Sequence, residues 1–224
     1  MSSRDYSRQS PSPRYTNLIR QYQQLHLEGE KSTDLTPEET FPGISLMKQV
    51  ERIKRLVDVT DAKTLLDYGA GKGMQYELGR VDIEKNGEHR QLMVKEYWGV
   101  DEIVCYDPAY IPFSNLPARK FDAVICTDVL EHCPEQDIPW ILDEMFYYAN
   151  KFVFALAACY PAKKQLPDGE NAHCTIKPAE WWNDMTNRAL EKYPHLLCEL
   201  WTISDMPMDD GEIKRVEQKI SNED

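Results

Sequence analysis

The chain lacks the features that would place it in several common classes. Its longest apolar run, Phe152 to Tyr160, is nine residues. A membrane span needs roughly 20, so no membrane association is expected. None of its six cysteines forms a Cys-x-x-Cys pair, and Cys105, Cys126, Cys159 and Cys198 lie in apolar runs where cysteine acts as a small hydrophobe. That pattern excludes a disulfide framework and suits reduced thiols in a cytoplasmic compartment. The start, MSSRDYSRQSPSPRYT, has no apolar stretch to serve as a secretory signal, and Pro11 and Pro13 would break the helix of a transit peptide. Positive charge is scarce: 26 Lys and Arg stand against 38 Asp and Glu, for a net charge of −12. Since duplex affinity comes largely from cations neutralising phosphates, nucleic acid is an unfavoured partner.

What is present is a core-forming pattern. At 224 residues and 42% hydrophobic content, the chain has enough apolar surface for one large domain. Leu46, Met47, Val50, Ile53, Leu56 and Val57 share one helical stripe. Strands are expected at Thr64–Tyr68, Ile103–Asp107, Phe121–Val129, Lys151–Cys159 and His195–Ile203. Helices are expected from the N-cap Asp137 through Phe146, and over Pro178–Tyr193. Buried strands alternating with amphipathic helices predict an α/β fold: a doubly wound, mostly parallel, Rossmann-like sheet covered on both faces. Ligands in such sheets bind beyond the carboxyl ends of the strands.

Only ten glycines occur, and three of them follow the first strand at alternate positions: Asp67-Tyr-Gly69-Ala70-Gly71-Lys72-Gly73. The position three after Gly71 is Met74, so the dinucleotide fingerprint is broken; Lys72 is followed by glycine, so no P-loop is formed. The second strand ends in Asp107, and a carboxylate suits a vicinal diol because it accepts two O–H donors and has no donor of its own. The third reads FDAVICTDVLEH, from Phe121 to His132.

Taken together, these segments resemble the class I S-adenosylmethionine-dependent methyltransferases over residues 46 to about 203. The third segment is similar to the subgroup that includes ubiquinone-biosynthesis O-methyltransferases. The resemblance implies S-adenosyl-L-methionine as cofactor, with Asp67, Gly69, Ala70, Gly71, Gly73, Asp107, Pro108 and Asp128 at its site. Two departures stand out. From Gly73 to Asp107 is 34 residues, implying a helical or hairpin excursion around Glu77 to Gly99, with a turn signal at Asn86-Gly87. Only 13 residues separate Asp107 from Phe121, so the family's third strand is shortened or absent, and no final antiparallel strand is evident after Ile203.

The segment Tyr160 to Lys177 is eighteen residues between a strand and a helix, far longer than the usual connection, and is either the acceptor-binding loop or a solvated one. His173 within it is the first candidate for a catalytic base toward a hydroxyl, and His132 the second, with the alternative that Glu131-His132 only orients its turn. Lys163 and Lys164 either bind an acidic group or are solvated. Of Trp181 and Trp182, one should face the core and the other a pocket rim. The two His–Cys dipeptides, His132-Cys133 and His173-Cys174, are not expected to meet at a metal, and no metal site is assigned.

The expected partition is a disordered arm at 1–16, a helical lid segment at 17–60 carrying Tyr22, His26 and Phe41, a methyltransferase core at 61–204 and a half-ordered acidic tail at 205–224. The expected function is methyl transfer to O or N of a small-molecule acceptor; no oligomeric state follows from the sequence. A cofactor-binding scaffold without catalysis and, with less support, a nucleic-acid methyltransferase are the alternatives. The latter lacks both basic surface and an N/D-P-P-Y/F motif.

Overall fold

Leu65 and Leu66 are adjacent, both fully buried, and belong to two different hydrophobic clusters. That is the signature of a strand covered on both sides. The computed structural model describes residues 6–85, 87–208 and 212–222. Its elements are α1 (Pro13–Glu28), α2 (Val50–Thr60), β1 (Thr64–Tyr68), α3 (Met74–Glu77), β2 (Arg80–Lys85), β3 (Glu88–Met93), α4 (Val94–Trp98), β4 (Glu102–Tyr106), β5 (Phe121–Thr127), α5 (Ile138–Tyr148), β6 (Ala149–Ala158), α6 (Ala179–Leu190), β7 (Leu197–Pro207) and β8 (Ile213–Ser221).

The central sheet has the order β4-β1-β5-β6-β7-β8; the first five strands are parallel and β8 is antiparallel to β7. The five parallel strands follow the Rossmann order with its third strand missing. In its place, residues 108–120 carry a short 3-10 turn, Ile111–Phe113. Side chains alternate through the sheet. Leu65, Ala123, Ile125, Phe152 and Phe154 pack against Val50, Ile53, Leu56 and Val57 of α2. Leu66, Val124, Cys126, Val153 and Ala155 face Ile141, Met145 and Phe146 of α5 and Trp182 of α6. At about 25 cal/mol per Å² of apolar area, each such side chain is worth roughly 1.5–3 kcal/mol. The extra length after the glycines is a hairpin, β2 on β3, followed by α4.

Five expectations are corrected. The arm is ordered over residues 6–16. Arg8 pairs with Glu144, donates to Tyr68 Oη at 3.0 Å, and lies over the Tyr106 and Trp140 rings. Ser12 Oγ accepts the Tyr15 N–H at 3.0 Å to cap α1, while its own N–H donates to Asp137. A polar segment needs no apolar core of its own when it satisfies buried polar groups elsewhere. Residues 1–5 of the arm lie outside the described residues.

The tail is likewise a strand over 213–221, held along β7 from Glu199↔Ser221 to Pro207↔Ile213. Backbone pairing suffices there, because a charged strand suits a sheet edge. Residues 209–211 and 223–224 are outside the described set. The boundary at 60 is not a seam, since α2 is part of the sheet's packing layer. Finally, of the tryptophan pair Trp182 is the buried member, but Trp181 packs at the margin of the same core under Lys177 rather than on a cavity rim. Asp137 does precede α5, yet its carboxylate binds Ser12 N–H and Trp140 Nε1 instead of capping the helix.

Candidate functional site

The connection from β1 leads outward to β4, and the chain then returns to β5 on the other side of β1, so the order reverses between β1 and β5. A cavity of about 560 Å³ opens at the carboxyl ends of these strands, within the usual range of about 300–1,000 Å³ for ligand sites. Gly69, Gly71, Asp107, Pro108, Thr127 and Asp128 line it. So do Glu131, His132 and His173. The N-terminal segment forms a wall through Tyr15, Leu18, Tyr22, His26 and Phe41. Leu18 and Leu25 of α1 pack on Leu166 and Ala172, so α1 and the 160–177 loop form one unit over the sheet.

The strand ends present their acids differently. Asp107 lines the cavity; its Oδ2 accepts the Gly71 N–H at 3.0 Å and its Oδ1 the Ala109 N–H at 2.8 Å. Burial pushes its carboxyl up to about 6, against those backbone hydrogen bonds, which favour the ionised form. A carboxylate has about four lone-pair sites, so Asp107 retains acceptor capacity. Asp128 follows β5 at φ +56°, the left-handed region that disfavours a side chain, and burial raises its carboxyl too. Asp67 is not at the cavity wall. Its Oδ2 accepts from Gln75 Nε2 at 2.9 Å and Tyr76 Oη at 2.7 Å, and burial raises it to about 7.

The glycine loop is closely packed against protein where it does not face the cavity. Its N–H groups are used internally: Gly69 to Tyr106 O, Gly71 to Asp107, Lys72 to Phe41 O. A Cβ on Gly71 would lie 2.4 Å from Phe41 O, and one on Gly69 would lie 2.3 Å from Val129. Packing therefore requires these glycines before any ligand does, and the loop has no spare N–H groups for a phosphate. Ala70 and Gly73 lie behind the wall; a Cβ on Gly73 would meet Phe113 and Cys105.

His132 and His173 meet edge to face with ring centroids 4.7 Å apart. Each has its Nδ1 against a backbone carbonyl, His132 on Ala172 O at 3.0 Å and His173 on Tyr160 O at 2.6 Å. A carbonyl only accepts, so each Nδ1 carries the proton and each Nε2 a bare lone pair. Tyr22 Oη reinforces this, 2.7 Å from His132 Nδ1 while donating to Ala172 O. Burial keeps His132 neutral, down to about 3, and lowers His173. Glu131 is fully buried beside them; Oε1 accepts the Ala158 N–H at 3.0 Å, while Oε2 has no partner among the described residues. The two His–Cys dipeptides are thus brought together through their histidines. The thiols are used elsewhere, Cys133 toward Val129 O and Cys174 toward His132 O.

Of the aromatic residues read in the N-terminal segment, Tyr22, His26 and Phe41 all reach the cavity. Lys163 and Lys164 line it as well, with Lys164 Nζ 4.5 Å from the Phe41 ring centre. Sequence reasoning gave Glu131 no chemical role although it stands in the VLEH segment, and it missed Arg215 because β8 was unread. Arg215 lies over Tyr160, 4.3 Å from the ring centre. No known family model and no curated protein matches this chain.

Proposed function

We propose that the chain is an S-adenosylmethionine-dependent methyltransferase that acts on an O or N atom of a small-molecule acceptor. The observation that carries this reading is the convergence of Gly69, Gly71, Asp107 and Asp128 on one cavity at the reversal of strand order. The spare acceptor sites of Asp107 suit a ribose diol, and the acids around the cavity suit a sulfonium cation. The Asp-x-Gly-x-Gly-x-Gly and FDAVICTDVLEH segments supply the class resemblance.

The acceptor belongs at the end near His132 and His173, whose lone pairs handle its proton. Transfer is an in-line displacement: the acceptor lone pair bonds to the methyl carbon as the C–S bond breaks and its electron pair returns to sulfur. Catalysis of such a step is mostly positioning and exclusion of water. The apolar wall of α1 and residues 41–45 acts as the lid that provides both. Lys163, Lys164 and Arg215 favour an acceptor that carries negative charge.

The test is calorimetry with S-adenosylmethionine and S-adenosylhomocysteine on the wild type and Asp107→Ala. Binding by the wild type that is lost in the variant is expected. No binding by the wild type overturns the reading. Binding without turnover across a panel of hydroxyl and amine acceptors points to the non-catalytic scaffold instead.

A further inference from the structure

We propose that Glu131, His132 and His173 bind one divalent transition-metal ion, with an open position toward the cavity for the hydroxyl oxygen of the acceptor. Ligand atoms of the three residues lie within 4.8 Å of one another. Donors around a tetrahedral zinc ion, at about 2.0–2.1 Å from it, are about 3.4 Å apart. The widest pair thus needs to close by at most about 1.4 Å.

Three further observations support the assignment. First, both imidazoles are already in the ligating tautomer, each Nδ1–H held by a backbone carbonyl and each Nε2 bare. Metal-binding histidines are typically fixed in this way by a second hydrogen bond. Second, Glu131 Oε2 is a buried carboxylate oxygen without a partner, in a side chain that is fully enclosed. A buried polar atom left unpaired is costly, and a cation would satisfy it. Third, the three ligands come from two segments that are locked together: the Thr175 N–H donates to Glu131 O at 3.0 Å, and Thr175 Oγ1 donates to Cys133 O. Two imidazoles and one carboxylate suit zinc or ferrous iron better than magnesium, which prefers oxygen ligands and retains its waters.

Such an ion would commit the acceptor to oxygen. With both Nε2 lone pairs on the ion, neither histidine acts as the base: a hydroxyl bound at the open position gives its proton to water, and the ionised oxygen keeps the lone pair that forms the new O–CH₃ bond. The role of the acceptor rests on the proposed methyl transfer, whereas the ion site does not.

The experiment uses the full chain with Co²⁺ and Zn²⁺ as probes. Wild type is expected to retain about one equivalent of Zn²⁺ after dialysis, and to show Co²⁺ d–d absorption that Zn²⁺ abolishes. His132→Gln, His173→Gln and Glu131→Gln should each weaken binding at least about tenfold, while His195→Gln, exposed and outside the cavity, leaves it unchanged. His173 is only half-buried, so its variant remains informative if Glu131→Gln fails to fold. Absence of stoichiometric metal in the wild type, or equal retention in His132→Gln and His173→Gln, overturns the proposal. Calorimetry with S-adenosylhomocysteine on the same samples separates the two readings. Metal without cofactor binding removes the methyltransferase and keeps the ion; cofactor without metal does the reverse.

Discussion

Asp107 Oδ2 accepts the Gly71 N–H at 3.0 Å, joining the end of β4 to the glycine loop after β1. The same carboxyl is pushed up to about 6 by burial, and its charged neighbours are Lys72 and, across the loop, Asp67. A diol is held by the ionised form, so a proton competes with the ligand below that pH. S-adenosylhomocysteine should bind about tenfold more weakly at pH 5 than at pH 7.5. In Asp107→Asn affinity should be lower throughout, and that part of the pH dependence should be gone. Calorimetry at the two pH values decides it; a wild-type affinity that is level with pH contradicts the role of Asp107.

Asp67 titrates at about 7 in the native protein and near 3.9 when unfolded. Between those values the native state holds a proton that the unfolded chain has released. This group therefore makes stability fall as pH rises from about 4 to about 7, with no further change above. Relative to Asp67→Asn, the wild type should lose on the order of a few kcal/mol between pH 4.5 and pH 7.5. Urea unfolding of both proteins measures the gap. A gap that stays constant, or one that favours the wild type as pH rises, contradicts the assignment.

Arg8 tests the ordered arm. Its guanidinium bridges Glu144 and Tyr68, and Tyr68 Oη itself donates to Glu144 at 2.8 Å. Arg8→Ala leaves a largely buried carboxylate with two donors fewer, one on each oxygen, for a cost of about 1–3 kcal/mol. The pair is partly open to solvent, which places the value toward the lower end. A shift in the urea midpoint is the readout, and a loss below about 0.5 kcal/mol means the arm's contacts are incidental.

The parallel sheet was readable because its strands are short apolar runs whose ends coincide with glycines and acids. Thr64–Tyr68 matches β1 to the residue. β8 was unreadable for the opposite reason: six of its nine residues are exposed, only Ile220 is buried, and backbone pairing on β7 defines it. The site was legible in part. Asp107, Asp128, His132 and His173 do share a cavity. Asp67 and Gly73 are turned away from it, because local spacing places a residue at a strand end without fixing which side of the loop its side chain occupies. That Glu131 and the two histidines form a single cluster depends on the 160–177 loop folding back under α1, a long-range contact with no local signal.

Gly71 and Gly99 separate conformational strain from close approach. Both have positive φ, +58° and +71°, but a Cβ at Gly99 meets nothing within 4 Å, whereas at Gly71 it would lie 2.4 Å from Phe41 O. Gly99→Ala should cost about 1–2 kcal/mol, the price of the left-handed conformation. Gly71→Ala adds a clash with backbone that cannot rotate away, so it should cost at least about twice as much. It should also push residues 41–43 off the loop, breaking the Lys72 N–H bond to Phe41 O and the Met74 N–H bond to Pro42 O. Because Phe41 and Pro42 wall the cavity, Gly71→Ala should weaken S-adenosylhomocysteine binding as well as lower the melting temperature, whereas Gly99→Ala lowers only the latter. Equal melting temperatures for the two variants would mean that the 41–43 segment moves freely and that its docking on the glycine loop contributes nothing to the fold.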